Sequence, residues 1–337
     1  MIKIGVIGCG YWGPNLIRNF MELKQTWISD VCDLDRGTLE KIGARYPSLR
    51  LTTNYRAILD SPEIDAVAIA TPVGTHIRLA KEALERGKHV LVEKPLATTA
   101  RDAASLVGLA RAKRRCLMVD HTFVYSEAVR VLKRSLGQLG TLCYVDSVRV
   151  NLGLFQQDIN VLWDLAPHDV SILLHLVEQD PLEVSATGIA HINPGVENTA
   201  YLILKFKGRL MAHCHVNWLS PVKVRLTLIA GSKKMLIYDD LNPLEQVKVY
   251  DYGVKRRKAD QPAVSVDYRM GDVYSPHVKR VEALRNVCAD FAQSIRRGTA
   301  PVSDGRFGWR VVRILEAAHH SMKHGGRVVR LKPLKSP

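Results

Sequence analysis

The sequence predicts an α/β protein with an N-terminal doubly wound Rossmann domain and a C-terminal α+β domain that carries a large open, mainly antiparallel sheet. Three observations support this fold class. Short apolar runs alternate with helical segments over residues 1–120, as in parallel sheets. The first run ends in glycines spaced G-x-G-x-x-G, which is typical of a phosphate-binding turn. Over residues 121–330, strand-like runs follow one another with turn residues between them, which favours antiparallel pairing.

The N-terminal half divides into alternating elements. We expect strands over 2–7, 27–33, 51–53, 65–70, 90–92 and 116–119, and helices over 15–24, 35–46, 55–59, 76–86 and 99–114. Ligands of doubly wound sheets bind beyond the carboxyl ends of the strands. The residues at or just past such ends are Thr71, Pro72, His76, Glu93, Lys94, Asp120 and His121.

The glycines after the first strand have separate tasks. Gly8 turns the chain, Gly10 lets the backbone approach a pyrophosphate, and Gly13 lets helix and strand pack closely. Asp33 ends the second strand, 20 residues after Gly13, where a carboxylate accepts hydrogen bonds from the adenosine ribose. A carboxylate there disfavours a 2′-phosphate, so we expect NAD as the cofactor, although nearby Arg36 makes the preference less strict.

The C-terminal half is expected to combine helices with one large sheet. Predicted helices are 126–136, 164–177, 284–297 and 308–323, and predicted strands are 143–152, 182–191, 199–206, 210–218, 222–230, 234–238 and 246–250. An open sheet has one face on its helices and another that needs cover. We therefore expect a homo-oligomer, either a dimer or a tetramer.

Composition narrows the class of protein. The 337 residues are 47% hydrophobic and 24% charged, and no apolar run reaches the length of about 20 residues that a membrane helix needs. No signal-peptide pattern is present, which favours the cytoplasm. The net charge of +15 is spread along the chain, and its densest cluster, Lys255–Lys258, has no interleaved aromatics. This distribution argues against a nucleic-acid partner. The charge is consistent with an ordinary basic, soluble enzyme, and the alternative is that it attracts an anionic substrate.

Three polar residues stand out as candidates for chemistry. Lys94 follows a central strand, where an ammonium can stabilise a developing alkoxide; the alternative is a surface lysine. The Lys94–Pro95 bond is a candidate cis peptide. Asp164 and His168 lie four residues apart, on one face of an apolar helix; the alternative is a helix cap and a bonded core histidine.

The paired histidines of His213-Cys214-His215 share one face of a predicted strand. Two ligands on one strand face suit a metal ion. No third and fourth ligand follows at the usual spacing. We therefore expect no metal.

Four segments together resemble the Gfo/Idh/MocA oxidoreductase family: Gly8-x-Gly10-x-x-Gly13, Ala70-Thr71-Pro72-x-x-x-His76, Glu93-Lys94-Pro95 and Asp164-x-x-x-His168. The resemblance implies NAD(P)-dependent oxidation or reduction of a sugar hydroxyl. It implies that Lys94 contacts the reacting hydroxyl and that His168 is the usual proton acceptor, although Lys94 remains an alternative base. The cofactor site would include Gly8, Gly10, Tyr11, Trp12, Gly13, Asp33, Thr71, Pro72, His76, Glu93 and Lys94.

Three further segments resemble the family's nucleotide-sugar 3-dehydrogenases: Gly10–Asn15, His121–Tyr125 and Arg149–Gly153. This implies oxidation of UDP-N-acetylglucosamine, or a close nucleotide sugar, to a 3-keto sugar. An aminotransferase would then build a 2,3-diamino sugar for lipid A or O-antigen. Expected substrate contacts are Tyr125, Arg149, Asn151, Trp163 and His168.

Several alternatives stay open. The motif's usual glycine is Ala166 here, and its preceding glycine run is Asn160–Trp163, which would reshape the substrate pocket. The substrate could be a uronic acid, an inositol or another sugar. An NADPH-dependent 3-ketosugar reductase and a non-catalytic NAD sensor are further possibilities.

Overall fold

The computed structural model describes residues 1–153, 155, 159–256 and 266–334, and the chain forms two units. The first unit comprises residues 1–126 and 281–316, and the second comprises residues 127–280 and 317–337. The expected division at residue 120 therefore needs a correction. Residues 281–316, expected in the second domain, return to the first unit.

The first unit is built around a six-stranded parallel sheet in the order β3-β2-β1-β4-β5-β6. This is the strand order of a Rossmann domain, so the predicted fold class is confirmed. Its strands are β1 Ile2–Ile7, β2 Thr26–Cys32, β3 Arg50–Thr52, β4 Ala66–Ile69, β5 His89–Glu93 and β6 Leu117–Asp120. Its N-terminal helices are α1 Gly13–Met21, α2 Arg36–Arg45, α3 Tyr55–Leu59, α4 His76–Glu85 and α5 Ala100–Lys113.

Local sequence explains how these helices begin. Pro14 occupies the first turn of α1, where its missing N–H costs little. The Asp35 carboxylate caps α2 by accepting from the backbone N–H groups of Gly37 and Thr38 at 3.2 and 3.0 Å. Pro14 and the Asp35 cap thus determine where α1 and α2 begin, at the carboxyl edge of the sheet.

The second unit has a nine-stranded sheet in the order β16-β13-β12-β11-β7-β10-β9-β8-β17. Only the β7–β10 pairing is parallel among its described strands. Its helices are α6 Glu127–Ser135 and α7 Val161–Val177. The strands are β7 Leu142–Leu152, β8 Glu183–Ile189, β9 Thr199–Lys205, β10 Met211–Asn217, β11 Leu219–Gly231, β12 Met235–Asp239, β13 Val247–Tyr250, β16 Val273–Tyr274 and β17 Val329–Arg330.

A separate two-stranded sheet pairs β14 Gly253–Arg256 with β15 Val266–Arg269. Neither these two strands nor β16 and β17 were expected from the sequence. The basic cluster at 255–258 runs into this region, and its residues 257 and 258 lie outside the described part of the chain.

The nine-stranded sheet has one covered face and one open face. Along β9, Ala200, Leu202 and Leu204 are buried, and α7 packs against β9 and its neighbours. The alternate residues Tyr201 and Ile203 are exposed. This alternation is typical of a sheet whose core lies on one side.

Two helices close the chain, α8 Ala283–Arg297 and α9 Gly305–Lys323. Within the first unit, α8 packs on α1, where the rings of Phe20 and Phe291 meet edge to face at 6.2 Å. Arg18 donates to both carboxylate oxygens of Glu282 at 2.9 and 2.6 Å. This packing assigns residues 281–316 to the nucleotide-binding fold. Within the described residues, no helix is long and apolar enough to cross a membrane.

Candidate active site

A cavity of ≈ 280 Å³ opens at the carboxyl ends of β1, β2 and β4. Such crevices hold the ligands of doubly wound sheets. Five predicted cofactor residues line the cavity: Gly8, Gly10, Asp33, Thr71 and Pro72. The other lining residues were not expected from the sequence; they are Ile7, Cys32, Leu34, Tyr55, Ala70, Thr75, Arg78 and Leu79. The structure thus brings the glycine turn, Asp33 and the Thr71-Pro72 segment to one edge.

The glycine turn has the shape that a pyrophosphate needs. Gly8 has φ +95°, and a Cβ there would lie 2.6 Å from the Ala70 carbonyl oxygen, so only glycine fits. A Cβ on Gly10 would meet no atom within 4 Å, so its bare Cα faces open space. A Cβ on Gly13 would collide with the Gly8 carbonyl. These glycines therefore fit a dinucleotide that approaches the backbone at Gly10.

Asp33 is held in this lining by two backbone hydrogen bonds. Its Oδ2 accepts from the N–H of Cys9 at 2.6 Å, and its Oδ1 accepts from the N–H of Asp35 at 2.9 Å. Burial, with a smaller contribution from Asp33, raises the pKa of the Cys9 thiol to about 12. Cys9 therefore stays protonated and adds no charge beside Asp33.

Tyr55 and Arg78 complete one wall of the cavity. The Arg78 guanidinium lies 5.1 Å from the Tyr55 ring centroid and donates to the Tyr55 hydroxyl at 2.6 Å. That hydroxyl donates to Glu82 at 3.0 Å. No motif marks either residue, since they come from two helices that only the fold brings together. A fixed ring and a guanidinium suit the adenosine half of a dinucleotide.

His76 bridges two loops rather than lining this cavity. Its imidazole is 1% exposed, with Nδ1 at 2.9 Å from the Pro95 carbonyl and Nε2 at 2.8 Å from the Thr71 carbonyl. Burial lowers the pKa of His76, and the neutral ring has only one N–H to donate. We therefore interpret His76 as a positioning residue for the loops after β4 and β5, which changes its expected role.

Lys94 directly follows β5, and the Lys94–Pro95 peptide is cis, as predicted. Its charge acts on several buried neighbours. Alongside the larger effect of burial, Lys94 contributes to lowering the pKa values of His76 and His121 and opposes the rise in the pKa values of Glu93 and Asp120. The ammonium is thus close to a cluster of buried titratable groups at the end of the sheet.

Asp164 and His168 lie in the first turns of α7 in the second unit. The cap of this helix is Asn160, whose Oδ1 accepts from the N–H of Trp163 at 3.2 Å. The alternative that Asp164 caps the helix is therefore wrong. Instead, Asp164 Oδ2 accepts from the indole N–H of Trp218 at 3.1 Å. Both Asp164 and His168 are half-buried, so one helix carries a partly exposed carboxylate and a partly exposed imidazole.

Nearby aromatic groups shape this end of the second unit. Trp218 is buried, and the Phe155 ring meets it edge to face at 5.7 Å. Trp163 is also buried, and Asn151 is half-buried at the end of β7. The carboxylate of Asp164 therefore has a rigid aromatic support.

Two predicted substrate contacts have structural partners instead. The buried Tyr125 hydroxyl donates to Asp290 at 2.7 Å and accepts from the N–H of Ser303 at 3.0 Å. The buried Arg149 guanidinium donates to both Asp169 oxygens at 2.8 and 3.1 Å. Both side chains are thus held by partners inside the fold, and their contact with a substrate stays a prediction.

The paired histidines of β10 stack on an aromatic ring. The Tyr201 ring lies 4.4 Å from His215 and 5.9 Å from His213. In the part of the chain that the structure describes, no group of three or more side chains is arranged to hold a metal ion. These histidines therefore belong to the open face of the sheet.

Comparison with known proteins places this geometry among oxidoreductases. Residues 2–121 match the model of the oxidoreductase family with an NAD-binding Rossmann fold, and residues 155–237 match the GFO/IDH/MocA C-terminal domain. Together the two models match more than half of the chain.

The names of two curated relatives describe reactions on nucleotide sugars. The chain is 26% identical over 310 residues to a dTDP-3,4-didehydro-2,6-dideoxy-alpha-D-glucose 3-reductase of Saccharopolyspora spinosa, covering 88% of this chain and 89% of that protein. It is 29% identical over 207 residues to the UDP-N-acetylglucosamine 3-dehydrogenase of Acidithiobacillus ferrooxidans, covering 60% and 63%. A solved structure of UDP-N-acetylglucosamine 3-dehydrogenase from that organism matches with a TM-score of 0.82 at 22% identity, covering 96% of this chain and 98% of that chain. This last likeness concerns the fold.

Proposed function

Because the chain belongs to the Gfo/Idh/MocA family of oxidoreductases, we propose that it uses NAD to oxidise the 3-hydroxyl of UDP-N-acetylglucosamine, or of a close nucleotide sugar, to the 3-keto sugar. One observation carries the proposal. Lys94 follows β5 in the unit with the nucleotide cleft, and the half-buried pair of Asp164 and His168 begins α7 in the other unit. An ammonium, a carboxylate and an imidazole are the groups that alcohol oxidation needs.

In this proposal the protein's groups manage the proton and the developing charge. NAD supplies the hydride acceptor for the hydrogen on C3. His168 takes the hydroxyl proton, so that the O–H and C–H bonds of the alcohol both break as the carbonyl forms. Lys94 donates a hydrogen bond to the oxygen and stabilises its negative charge. Asp164, held by the Trp218 indole, orients the substrate and His168.

The relatives and the charge of the chain support the substrate class. Both curated relatives carry a nucleotide sugar and a position 3 reaction in their names. The net charge of +15 favours a diphosphate-bearing substrate. A 3-keto sugar suits a subsequent aminotransferase, so we further propose a place in 2,3-diamino-sugar synthesis for lipid A or O-antigen, in the cytoplasm.

A coupled assay tests this function. The protein is incubated with NAD, UDP-N-acetylglucosamine, glutamate and an aminotransferase specific for 3-keto nucleotide sugars, and NADH absorbance is followed. We expect NADH and an amino sugar to form together. A panel with the uronic acid, inositols and free sugars serves as the control, and turnover of one of these alone would contradict the proposed substrate.

Reduction of a 3-keto nucleotide sugar is a second candidate. It is favoured by the match to a 3-reductase over 88% of this chain. The same groups serve both directions, since His168 returns the proton that it would otherwise take. Faster turnover of a 3-keto sugar with NADPH than of the alcohol with NAD would support this candidate.

Replacing Asp33 with asparagine is expected to weaken the preference for NAD over NADP. The carboxylate repels a 2′-phosphate, and losing about 1.4 kcal/mol of discrimination changes the ratio of the two kcat/KM values about tenfold. Asparagine keeps an oxygen for one of the two backbone bonds that Asp33 accepts. The matched control is Glu40→Gln on α2, an exposed carboxylate outside the cavity. An unchanged ratio in Asp33→Asn would show that other residues select the cofactor.

The open face of the nine-stranded sheet supports a homo-oligomer. It exposes a contiguous apolar area that includes Tyr144, Tyr201, Ile203 and Met211, and large exposed apolar patches mark interaction sites. We propose that a second copy of the chain covers this face in a dimer or tetramer.

Ile203→Glu is expected to weaken this association at least about tenfold, because the carboxylate loses its solvation in the interface. Light scattering over a concentration series measures the effect. Ala112→Glu, which adds the same charge on an exposed position of α5, is the control. A wild-type monomer, or an Ile203→Glu oligomer as stable as wild type, would contradict this assignment of the interface.

A further inference from the structure

Two buried carboxyl groups lie side by side beneath the proposed catalytic lysine. Glu93 ends β5 and Asp120 ends β6, and the two residues are direct partners in the parallel register of these strands. Their side chains are 8% and 1% exposed. Paired residues of adjacent strands project to the same face of a sheet, so the two acids share one buried environment.

The buried carboxyl oxygens of this pair have fewer hydrogen-bond donors than they need. Asp120 Oδ1 accepts from the Thr122 hydroxyl at 2.6 Å. Within the described residues, Glu93 Oε1 and Asp120 Oδ2 are buried and receive no hydrogen bond from any donor. Two ionised acids would leave these acceptors unsatisfied and place two negative charges together, which is costly in a buried site. A single proton between the two oxygens resolves both problems.

We propose that Glu93 and Asp120 share one proton and form a buried acid pair with a single negative charge, which offsets the ammonium of Lys94 and positions it. Glu93 is the donor of the shared hydrogen bond and Asp120 is the acceptor. The positioning part of this inference rests on the proposed role of Lys94 in catalysis. The sharing of the proton depends only on the two acids.

The effects of burial on the pair agree with this assignment. Burial raises the pKa of Asp120 to about 6, and burial together with the charge of Asp120 raises the pKa of Glu93 well above its usual value. Both shifts favour keeping a proton on the pair, and the hydrogen bond from Thr122 favours placing the negative charge on Asp120. Interacting acids of this kind titrate as a pair.

The other titratable groups around the pair do not change charge near neutral pH. His121 follows Asp120, and burial lowers its pKa to about 3, so it stays neutral. Cys288 on α8 faces both acids, and burial raises the pKa of its thiol. Glu282 also faces Cys288, but its hydrogen bond from Arg18 lowers its pKa and keeps it ionised. The acid pair and Lys94 therefore control the local charge.

The pair also links stability to pH in a defined direction. The folded-state pKa of Asp120 lies above the usual value of 3.8, so the folded protein binds a proton more tightly than the unfolded chain. The stabilising contribution is fully present below about pH 4 and is lost as the pH rises through about 6. A variant with no ionisable group at either position does not lose this stability as the pH rises.

Amide variants distinguish one shared proton from two separately ionised acids. In Asp120→Asn, the amide donates to an ionised Glu93, which preserves one negative charge and one hydrogen bond. In Glu93→Gln/Asp120→Asn, the charge is absent. The control is Asp65→Asn, a residue beyond the other end of the sheet, whose carboxylate accepts from the N–H of Lys3.

Infrared spectroscopy gives the first test, and it needs no activity. Wild type at neutral pH is expected to show the band of a buried protonated carboxyl, which Asp120→Asn and the double variant lose and Asp65→Asn keeps. Equilibrium unfolding measured between pH 4 and 7 gives the second test. The free energy of unfolding of the double variant should increase relative to that of wild type as the pH rises. A missing wild-type band, or a band that persists in Asp120→Asn, would overturn the shared proton.

The pH profile of kcat/KM tests the positioning of Lys94. Asp120→Asn should keep the wild-type alkaline limb, and the double variant should move it about 1 pH unit or more to lower pH, because an opposite charge within a few ångströms has an effect of this size. Coincident profiles of the two variants would overturn the positioning role. If no substrate is turned over, the proposed function fails, and the infrared and unfolding measurements still decide whether the proton is shared.

Discussion

Replacing Lys94 with alanine is expected to lower kcat by about 10²–10³-fold, the usual cost of losing one donor to a developing oxyanion. Lys94 follows β5, beside the buried acids Glu93 and Asp120. Alanine removes the ammonium but leaves the glycine turn and Asp33 in place. NAD binding, measured by fluorescence titration, should therefore remain close to wild type while turnover collapses.

A matched lysine on the same unit separates this effect from a general loss of charge. Lys81 lies on α4 and pairs at 3.9 Å with Glu85 on the surface. Lys81→Ala should stay within about 0.5 kcal/mol of wild-type stability and keep its turnover. Equal turnover of Lys94→Ala and wild type would remove Lys94 from the proposed mechanism.

His168→Asn is expected to lower kcat/KM by about 10²–10⁴-fold, the usual contribution of a positioned general base. The imidazole lies one helical turn beyond Asp164 on α7, and Asn160 and Trp218 hold the start of that helix and its carboxylate. Asparagine keeps a polar side chain of similar reach but cannot accept a proton. The loss of kcat/KM should be largest at the pH values at which the general base of the wild-type protein is deprotonated.

The pH dependence of this variant also identifies the base. If His168 is the proton acceptor, the acid limb of the kcat/KM profile disappears in His168→Asn. If Lys94 is the base, the limb remains and only its height changes. His320→Ala, which removes an exposed histidine of α9, is the control. Wild-type kinetics in His168→Asn would contradict a catalytic role.

The part of the fold that depends on neighbouring residues was predictable from the sequence. Apolar runs, glycine spacing and Asp33 are local patterns, and they identified the six-stranded sheet and its nucleotide cleft. The return of α8 to the first unit was not predictable, because it depends on contacts such as Phe20 with Phe291. Helical periodicity shows that α8 has an apolar face but not which surface that face covers.

The candidate site shows the same limit. Lys94, Asp164 and His168 were found because their spacing is local. Tyr125 and Arg149 were assigned to the substrate from their position in motifs, whereas in the fold the Tyr125 hydroxyl donates to Asp290 and the Arg149 guanidinium donates to Asp169. The register that joins Glu93 to Asp120 had no trace in the sequence, because strand pairing across a crossover leaves no periodic pattern.

The division of the chain also governs the order in which the protein can fold during synthesis. Domains usually fold as units from the N-terminus onward. Here the nucleotide-binding unit lacks residues 281–316 until the whole of 127–280 has been made. Until then, the surface of α1 that Phe291 covers stays exposed on the nascent chain. The N-terminal unit can therefore begin to fold before the second unit is made, but it is completed only after residues 281–316 have been synthesised.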